Sequence, residues 1–452
     1  MVVLPRLALV TASTGTDPSP ACLALMAGLT VEGWRVQHFV SRARPVSQGA
    51  VGWATGLPGR HLDDWLMPAP ICREVFARGA RRMDLAVVEG TLDRTEPASD
   101  RSPYDHPGHL GSLANALNLP LVAVVDCRGG ADFHLPRLPA EIDAVLLDGL
   151  PDRDAFEPIR QMVSWFLKRP VIGAVEELSE ARAEIQDARP DSPPPKAALD
   201  RLAASFLRFV DKATLSALAR SRPFPEAPGR LPLADRGRGF RIAYAQDEAF
   251  GGYYPDTLEL LETLGAELVE FSPLCSETLP EAVDLVMIGC GYADQYADAL
   301  AKNHCLITTL RNHVCRGLRI YSEGGGTAYL GQSLILDGRR IPGAGILPFE
   351  AELRSNPIGP TPVERTLCVE SWLGPPGTVV RGYRSGRWRL RPTPEPCDCP
   401  SRFGPLTGSG DMYYRKHAVG GLIHLQLAAL PQVVAAFTNQ LSPAMAPPPL
   451  RR

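Results

Sequence analysis

The sequence lacks any long hydrophobic run. No stretch of its 452 residues reaches the apolar length of a membrane span, which takes about 20 consecutive residues. The first residues, MVVLPRLALVTAS, carry no basic region ahead of their short apolar run. They therefore predict a buried strand rather than a signal peptide. From these two absences we expect a cytoplasmic protein.

The sequence also lacks a large net charge and any clustering of cysteines. The net charge of −3 gives no reason to expect nucleic acid or a membrane as a partner. The ten cysteines are scattered, as is usual for reduced cysteines of the cytoplasm. Only Cys397 and Cys399 lie close together, and one such pair falls short of the four ligands of a structural zinc site. We therefore predict no metal site.

What the sequence does contain is two successive patterns of apolar strands that alternate with helices. In the first half, RLALVTA, MDLAVVEG and LPLVAVVDC are continuously apolar, which is typical of parallel strands covered on both faces. In the second half, FRIAYAQ, AVDLVMIG and GLRIYSE repeat the pattern. Because the chain is also too long for one hydrophobic core, we predict an α/β protein with two doubly wound, mainly parallel-sheet domains.

Proline-rich segments separate the two patterns. RPDSPPPK and RPFPEAPGRLP flank one amphipathic helix over residues 199–218, and such proline-rich composition is typical of linkers. We predict a first domain over residues 1–189, a linker with one helix over 190–237, and a second domain over 238–452.

One segment of the second half, RGYRSGRWRLR, combines five arginines with two aromatic residues over residues 381–391. Alternating arginine and aromatic side chains can stack on a planar anionic ligand. The alternative is an edge hairpin with a solvated charged face, because charged edges protect sheets from aggregation. We favour the edge hairpin.

A further segment, IYSEGGGTAYLG over residues 320–331, predicts a short strand, a sharp turn and a helix. That arrangement is a nucleophile elbow, in which a reactive side chain stands at the tip of the turn. The residue at this tip is Gly324. Glycine relieves the strain that the turn imposes on any residue with a Cβ, but it offers no nucleophile.

Several stretches taken together resemble the cobyrinic acid a,c-diamide synthase family. The resemblance implies a P-loop synthetase domain fused to a class I glutamine amidotransferase-like domain. Such enzymes use ATP, magnesium and glutamine to convert carboxylates of a corrin ring into amides. The matching stretches occur in family order and cover most of the chain: ATGLPGRHLDDWLM (54–67), DLAVVEG (84–90), LPLVAVVD (119–126), the run from 241 to 274, YSEGGGTAYLG (321–331) and GLIHLQLA (421–428).

The phosphate loop departs from the family pattern. The resemblance places the family's Gly-Lys-Thr loop at ASTGTDPSPA, where Pro18 takes the lysine position and Asp17 precedes it. A proline removes an N–H donor from the phosphate cradle. A negative charge beside a triphosphate costs about 4 kcal/mol at a near-surface dielectric. Gly15 and Ser19 remain, but we expect ATP and magnesium binding to be lost and no other cofactor to replace them.

The resemblance also assigns magnesium-binding positions at two strand ends. Glu89 and Asp126 remain there. The alternative, which we favour because the loop is broken, is that these are polar strand-end residues kept for packing and capping. The family's lysine and aspartate that precede the ATG stretch correspond to Val40 and Arg44.

The glutaminase site departs from the family at the nucleophile, and GYRSG (382–386) replaces the family's His-Glu-Phe-His stretch. The resemblance expects a cysteine where Gly324 stands, whereas Glu323 and the histidine base, His424, are kept. A base without a nucleophile cannot form a thioester, so we interpret these three as relict positions. One residue that could replace the missing nucleophile is Cys290 in MIGCGYAD, which corresponds to the family's glycine-rich oxyanion loop. A nucleophile there would need His424 within hydrogen-bond reach, and we favour a merely packed cysteine.

Loss at two sites in a chain with intact core strands predicts a non-catalytic homologue, a pseudoenzyme. We expect it to bind a tetrapyrrole, or to pair with an active synthetase, as a homodimer or heterodimer. Arg44, Arg384 and Arg387 are the candidate partners for tetrapyrrole carboxylates, since arginine forks suit carboxylates. Two alternatives remain open: an active amide-forming enzyme with another nitrogen source, and a scaffold protein without a small-molecule ligand.

Overall fold

The computed structural model describes residues 4–11, 19–41, 49–92, 110–128, 135–188, 192–226, 229, 239–393 and 403–438. These residues divide into two compact units, one through residue 229 and one from residue 239 onward. Several residues singled out from the sequence lie outside the described ranges: Gly15, Asp17, Pro18, Arg44, Cys397 and Cys399.

The first unit is built on a parallel sheet. Its strands are β1 (Arg6–Thr11), β2 (Val36–Val40), β3 (Arg60–His61), β4 (Leu85–Thr91), β5 (Leu121–Asp126), β6 (Ala144–Leu150) and β7 (Val171–Glu176). Their spatial order is β3-β2-β4-β1-β5-β6-β7, and every neighbouring pair runs parallel. The continuous apolar runs predicted this architecture, because a strand covered on both faces has no polar side.

Helices cover this sheet. Within the described residues they are α1 (Ser19–Val31), α2 (Gly49–Thr55), α3 (Ala69–Ala80), α4 (Leu110–Leu117), α5 (Phe156–Leu167), α6 (Ser179–Gln186), α7 (Lys196–Phe209) and α8 (Lys212–Ala219). The segment predicted as a linker with one helix therefore carries two helices, α7 and α8. Leu202, Phe206 and Leu215 of these helices are buried in the same core as Leu7 of β1.

The second unit contains a larger set of strands. Those of its main sheet are β8 (Phe240–Ala245), β10 (Ala266–Phe271), β11 (Leu285–Ile288), β13 (Arg319–Glu323), β18 (Phe403–Pro405), β19 (Met412–Arg415) and β20 (Ala418–Gly421). The spatial order is β10-β8-β11-β13-β20-β19-β18. The five strands β10, β8, β11, β13 and β20 run parallel to one another. Strands β19 and β18 extend the sheet in antiparallel pairs.

Two smaller sheets complete the second unit, and we did not predict either from the sequence. One pairs β9 (Phe250–Gly252) with β12 (Cys290–Gly291). The other has the order β15-β14-β16-β17-β21. Its strands are β14 (Ser333–Leu336), β15 (Arg339–Pro342), β16 (Phe349–Thr366), β17 (Val379–Pro392) and β21 (Ile423–Leu425).

The arginine-rich segment forms most of β17, which lies between β16 and β21. As expected of a hairpin with a solvated charged face, the segment pairs antiparallel with β16, and Arg381, Arg389 and Arg391 are exposed. The expectation of an edge is wrong only at residues 382–384, which also pair with β21. Trp388 is fully buried and Tyr383 is nearly so, because one face of the strand packs into the core of this unit. The aromatic side chains are thus committed to packing rather than to an exposed face.

The described helices of the second unit are α9 (Pro255–Thr263), α10 (Ala297–Lys302), α11 (His304–Cys315), α12 (Gly324–Leu330) and α13 (Pro431–Thr438), with a 3-10 turn at Leu427–Ala429. Across the described part of both units, each helix is too short or too polar to cross a bilayer.

Candidate functional site

The predicted elbow is present at the carboxyl end of β13. The strand ends at Glu323 and α12 begins at Gly324, whose φ of +51° lies in the left-handed region that glycine adopts freely. A Cβ on Gly325 would lie 2.4 Å from the carbonyl oxygen of Gly291. The glycines of this turn therefore allow the loop that follows β11 to approach the start of the helix.

The carboxylate of Glu323 is buried and held by three donors. Its Oε2 accepts a hydrogen bond from Nδ1 of His424. Its Oε1 accepts from the backbone N–H of Leu425 at 3.0 Å and from the hydroxyl of Tyr321 at 2.7 Å. Burial, and then the charge of Glu323, raise the pKa of Tyr321, so its hydroxyl remains a donor. Glu323 is consequently fixed in orientation.

His424 of β21 is 2% exposed and is held on two sides. Glu323 fixes Nδ1, and the ring of Tyr254 stacks on the imidazole with centroids 3.9 Å apart. Nε2 has no hydrogen-bond partner among the described residues. Burial by itself would lower the pKa of His424, but Cys290 and Glu323 raise it to about 10. The ring of His424 is thus held in one orientation and is protonated at neutral pH.

Cys290 of β12 reaches the same place from the opposite loop. Its Sγ, a ring nitrogen of His424 and a carboxylate oxygen of Glu323 lie within 4.8 Å of one another. A Cβ on Gly324 would lie 2.9 Å from this Sγ, and one on Gly252 would lie 2.8 Å from the Cβ of Cys290. The side chain therefore fits only because both neighbours are glycines. This is the arrangement that we considered from the sequence and disfavoured.

The same three side chains offer ligand types that zinc accepts, namely a thiolate, an imidazole and a carboxylate. A second group of this kind, Cys22, His38 and Glu89, occurs in the first unit, again with ligand atoms within 4.8 Å. Among the described residues, these two groups are the ones close enough to share an ion.

A small cavity adjoins His424. Tyr253, Tyr254, Tyr321 and Glu323 contribute to its lining, and it has room for about one water molecule. Tyr253 is anchored there, since its hydroxyl donates to the carbonyl of Ala245 at 3.0 Å and accepts from the N–H of Gly289 at 2.9 Å. The buried side of the site is therefore narrow and rigid.

In the first unit, the two carboxylates assigned to magnesium lie on the strands that flank β1. Nε2 of His38 lies 2.8 Å from Oε2 of Glu89. The Nε of Arg128 donates to Asp126 at 2.9 Å, and this guanidinium lowers the pKa of Asp126. Both carboxylates thus have partners within the protein, and a magnesium-binding role for them stays a prediction. Ser19 is the first residue of α1.

The arginines proposed for tetrapyrrole binding within β17 are both ion-paired. Arg384 donates to Asp411, a buried carboxylate that also accepts from Arg365 at 2.7 Å. Arg387 donates to Asp294 at 2.6 Å and lies over the ring of Tyr292. A ligand carboxylate would have to compete with these partners, and the ligand role of both arginines stays a prediction.

Sequence reasoning missed two residues of the second unit's site. Tyr254 precedes Pro255, the first residue of α9, and its ring covers His424. Gly252 makes room for Cys290. The available signal was the stretch FGGYYP, in which two glycines precede aromatic residues at a helix start.

Comparison with known proteins finds relatives over most of the chain. Residues 241–389 match the CobB/CobQ-like glutamine amidotransferase domain. A cobyrinate a,c-diamide synthase of Magnetococcus marinus is 29% identical over 375 residues, which cover 79% of each chain. That of Syntrophotalea carbinolica is 29% identical and covers 84% of this chain and 85% of its own. That of Salmonella typhimurium is 28% identical, with 82% and 83% covered.

Among solved structures, a glutamine amidotransferase covers 43% of this chain and 96% of its own, with 16% identity and a TM-score of 0.34. A signal recognition particle receptor FtsY from Elizabethkingia anophelis in complex with GDP covers 46% of this chain and 65% of its own, with 14% identity and a TM-score of 0.27.

Proposed function

Because the chain belongs to the cobyrinic acid a,c-diamide synthase family, we propose that it is a tetrapyrrole-binding member that has lost ATP-dependent amide synthesis. Homology places it with the enzymes of cobalamin biosynthesis. The curated relatives align over most of this chain, and the family resemblance implies a corrin substrate.

The observation that carries the loss of amide synthesis is Pro18 in the position that the resemblance gives to the phosphate-binding lysine. Amide formation from a carboxylate needs activation by ATP, and Asp17 adds a repulsive charge beside the phosphates. In the described residues, Asp126 also pairs with Arg128. Each of these three features would weaken nucleotide binding.

The proposed tetrapyrrole binding depends on arginine side chains that pair with the carboxylates of the ligand. Arginine–carboxylate contacts contribute about 1.5–3 kcal/mol each, and tetrapyrroles of this pathway are polycarboxylates. Because Arg384 and Arg387 already pair with aspartates, neutralising them would also unpair those carboxylates. Arg44 is therefore the residue on which the binding test depends.

Absorbance titration of the full chain with cobyrinic acid, sirohydrochlorin and haem tests the proposal. We expect micromolar binding of a polycarboxylate tetrapyrrole, weakened at least about tenfold, or about 1.4 kcal/mol, by Arg44→Ala. Arg81→Ala, at an exposed arginine after α3, is the matched control and should change nothing. Unchanged absorbance bands and an unchanged thermal midpoint with all three compounds would remove the ligand and leave the scaffold interpretation.

The family resemblance also supports assembly, either as a homodimer or with an active synthetase that supplies the missing chemistry. Sedimentation analysis of the purified chain distinguishes a monomer from a dimer. Capture from the native cell, followed by an absorbance spectrum, tests for a partner synthetase and for a bound tetrapyrrole.

A further inference from the structure

We propose that Cys290 is a relocated nucleophile that, with His424 as its base and Glu323 as a positioning residue, attacks primary carboxamides. This inference goes beyond the proposed function, because it needs neither ATP nor a tetrapyrrole. It also departs from our expectation that the second unit has no chemistry of its own. Three independent features of the site support it.

The first feature is steric. The resemblance expects a cysteine at the elbow and a glycine-rich loop opposite it, and this chain has the cysteine in the loop and glycine at the elbow. The two changes depend on each other, because a Cβ on Gly324 would lie 2.9 Å from Sγ of Cys290. The thiol thus occupies the space beside the elbow tip. Random decay of an idle site would not be expected to produce such a matched exchange.

The second feature is the state of the base. An idle, buried histidine is usually hydrogen-bonded at both nitrogens, since an unpaired buried polar atom costs about 1–3 kcal/mol. His424 has its Nδ1 on Glu323, but its Nε2 lacks a partner among the described residues. Tyr254 prevents the ring from turning away. A nucleophile, a base and an orienting carboxylate are the parts that covalent catalysis requires.

The third feature is access. Cys290 is 7% exposed, so the site admits only a slender group. The adjoining cavity has room for about one water molecule. A terminal carboxamide on an unbranched chain is such a slender group, and a water molecule in the cavity beside His424 would be the second reactant that the reaction needs.

The reaction balances with these groups alone. The thiolate of Cys290 attacks the carbonyl carbon, and the C–S bond forms while the C=O electrons move onto oxygen. As the carbonyl re-forms, the C–N bond breaks, and protonated His424 gives its proton to the departing nitrogen, which leaves as ammonia. Water then attacks the thioester with His424 as base, which releases the carboxylic acid and restores the thiol.

Ammonia release from glutamine and from asparagine by the full chain is the first test. We expect Cys290-dependent turnover that falls at least about a hundredfold in Cys290→Ala and in His424→Asn, since general-base assistance contributes about 10²–10⁴-fold. Cys305→Ala, at an exposed cysteine, should leave turnover unchanged. If neither amide releases ammonia above the Cys290→Ala background, the proposal is overturned.

Alkylation of the unmodified protein by iodoacetamide, mapped by mass spectrometry, needs no variant to fold. We expect Cys290 to react at least about tenfold faster than exposed Cys305 at neutral pH, because the proposed nucleophile lies beside the ring of His424 and thiolate is the reactive form. Equal or slower reaction at Cys290 would contradict the proposal. The exchange variant Cys290→Gly with Gly324→Cys should keep the fast thiol, now at residue 324.

Zinc would give a different result at the same three residues. In that case the purified protein would contain stoichiometric zinc, its ammonia release would stop on chelation, and Cys290 would alkylate faster once the zinc is removed. This result would assign a metal site and overturn the proposed nucleophile. These outcomes are separate from tetrapyrrole binding, which the absorbance titration decides by itself.

Discussion

At the scale of single residues, Gly324 has two roles in the elbow. Its φ of +51° favours glycine, and its missing Cβ leaves space for the thiol of Cys290. From the sequence we interpreted this glycine as relief of strain in the turn and as the loss of a nucleophile. In the structure it is also what admits another one.

Gly324→Ala should therefore destabilise the chain by about 1–3 kcal/mol, since overpacking and left-handed backbone strain add. In a Cys290→Gly background the steric part should vanish, and only about 1 kcal/mol of backbone strain should remain. Urea denaturation of the four proteins measures both values. Equal losses in the two backgrounds would show that the thiol does not occupy this space.

His424 makes the stability of the second unit depend on pH. Its pKa rises from 6.5 to about 10 on folding, so its stabilisation is fully present below pH 6.5 and is lost as pH rises through about 10. The groups that face it are Cys290, Glu323, Tyr321 and Tyr254. We expect the thermal midpoint of the native protein to exceed that of His424→Gln by a margin that shrinks from pH 6.5 to pH 10. A margin that is constant or grows would contradict the raised pKa.

At the scale of elements, the helix that we predicted as part of a linker is a core element of the first unit. The α7 helix lies against α1, where a Cβ on Gly28 would be 2.9 Å from Cδ1 of Phe206. The proline-rich composition around α7 pointed to a linker, but the buried face of the helix determined its place.

Gly28→Val should destabilise the first unit by about 1–3 kcal/mol, although replacing glycine inside an exposed helix usually helps. The loss should shrink in a Phe206→Ala background, because the two residues are in contact and their effects are not additive. A double-mutant cycle of unfolding free energies measures this coupling. A coupling near zero would mean that α7 does not pack on α1 in solution.

At the scale of the whole molecule, the two units differ in what they retain. The first unit has a seven-stranded parallel sheet, whereas its sequence departs from the family pattern of the phosphate loop at Asp17 and Pro18. In the second unit His424 is hydrogen-bonded to Glu323, and the thiol of Cys290 reaches both from another loop.

We expect no measurable binding of Mg-ATP by the full chain, because Asp17, Pro18 and Pro20 remove the charge and the N–H donors that a phosphate cradle needs. Titration calorimetry checks this. A dissociation constant below about 1 mM, or a binding free energy near −4 kcal/mol, would show that nucleotide chemistry survives. As a companion test, Asp17→Gly and Pro18→Lys together with a change at Pro20 should partly restore affinity.

The sequence by itself determined the α/β class, the parallel sheets and the elbow. These features depend on local patterns: continuous apolar runs for covered strands such as β4 and β5, and a glycine run at the strand–helix turn. The sequence did not predict the five-stranded sheet, because the long strands β16 and β17 are rich in proline, glycine and arginine. That composition is typical of loops and edge strands.

Only the tertiary structure decided which distant side chains meet. Glu323 and His424 were identified from the sequence as a pair, but the placement of Cys290 beside them depends on how the loop after β11 packs on the start of α12. That approach depends on glycines far apart in the chain: Gly252 and Gly324 leave room for Cys290, and Gly325 leaves room for the carbonyl of Gly291. A sequence pattern records each of those glycines but not the distance between them, which only the packed fold determines.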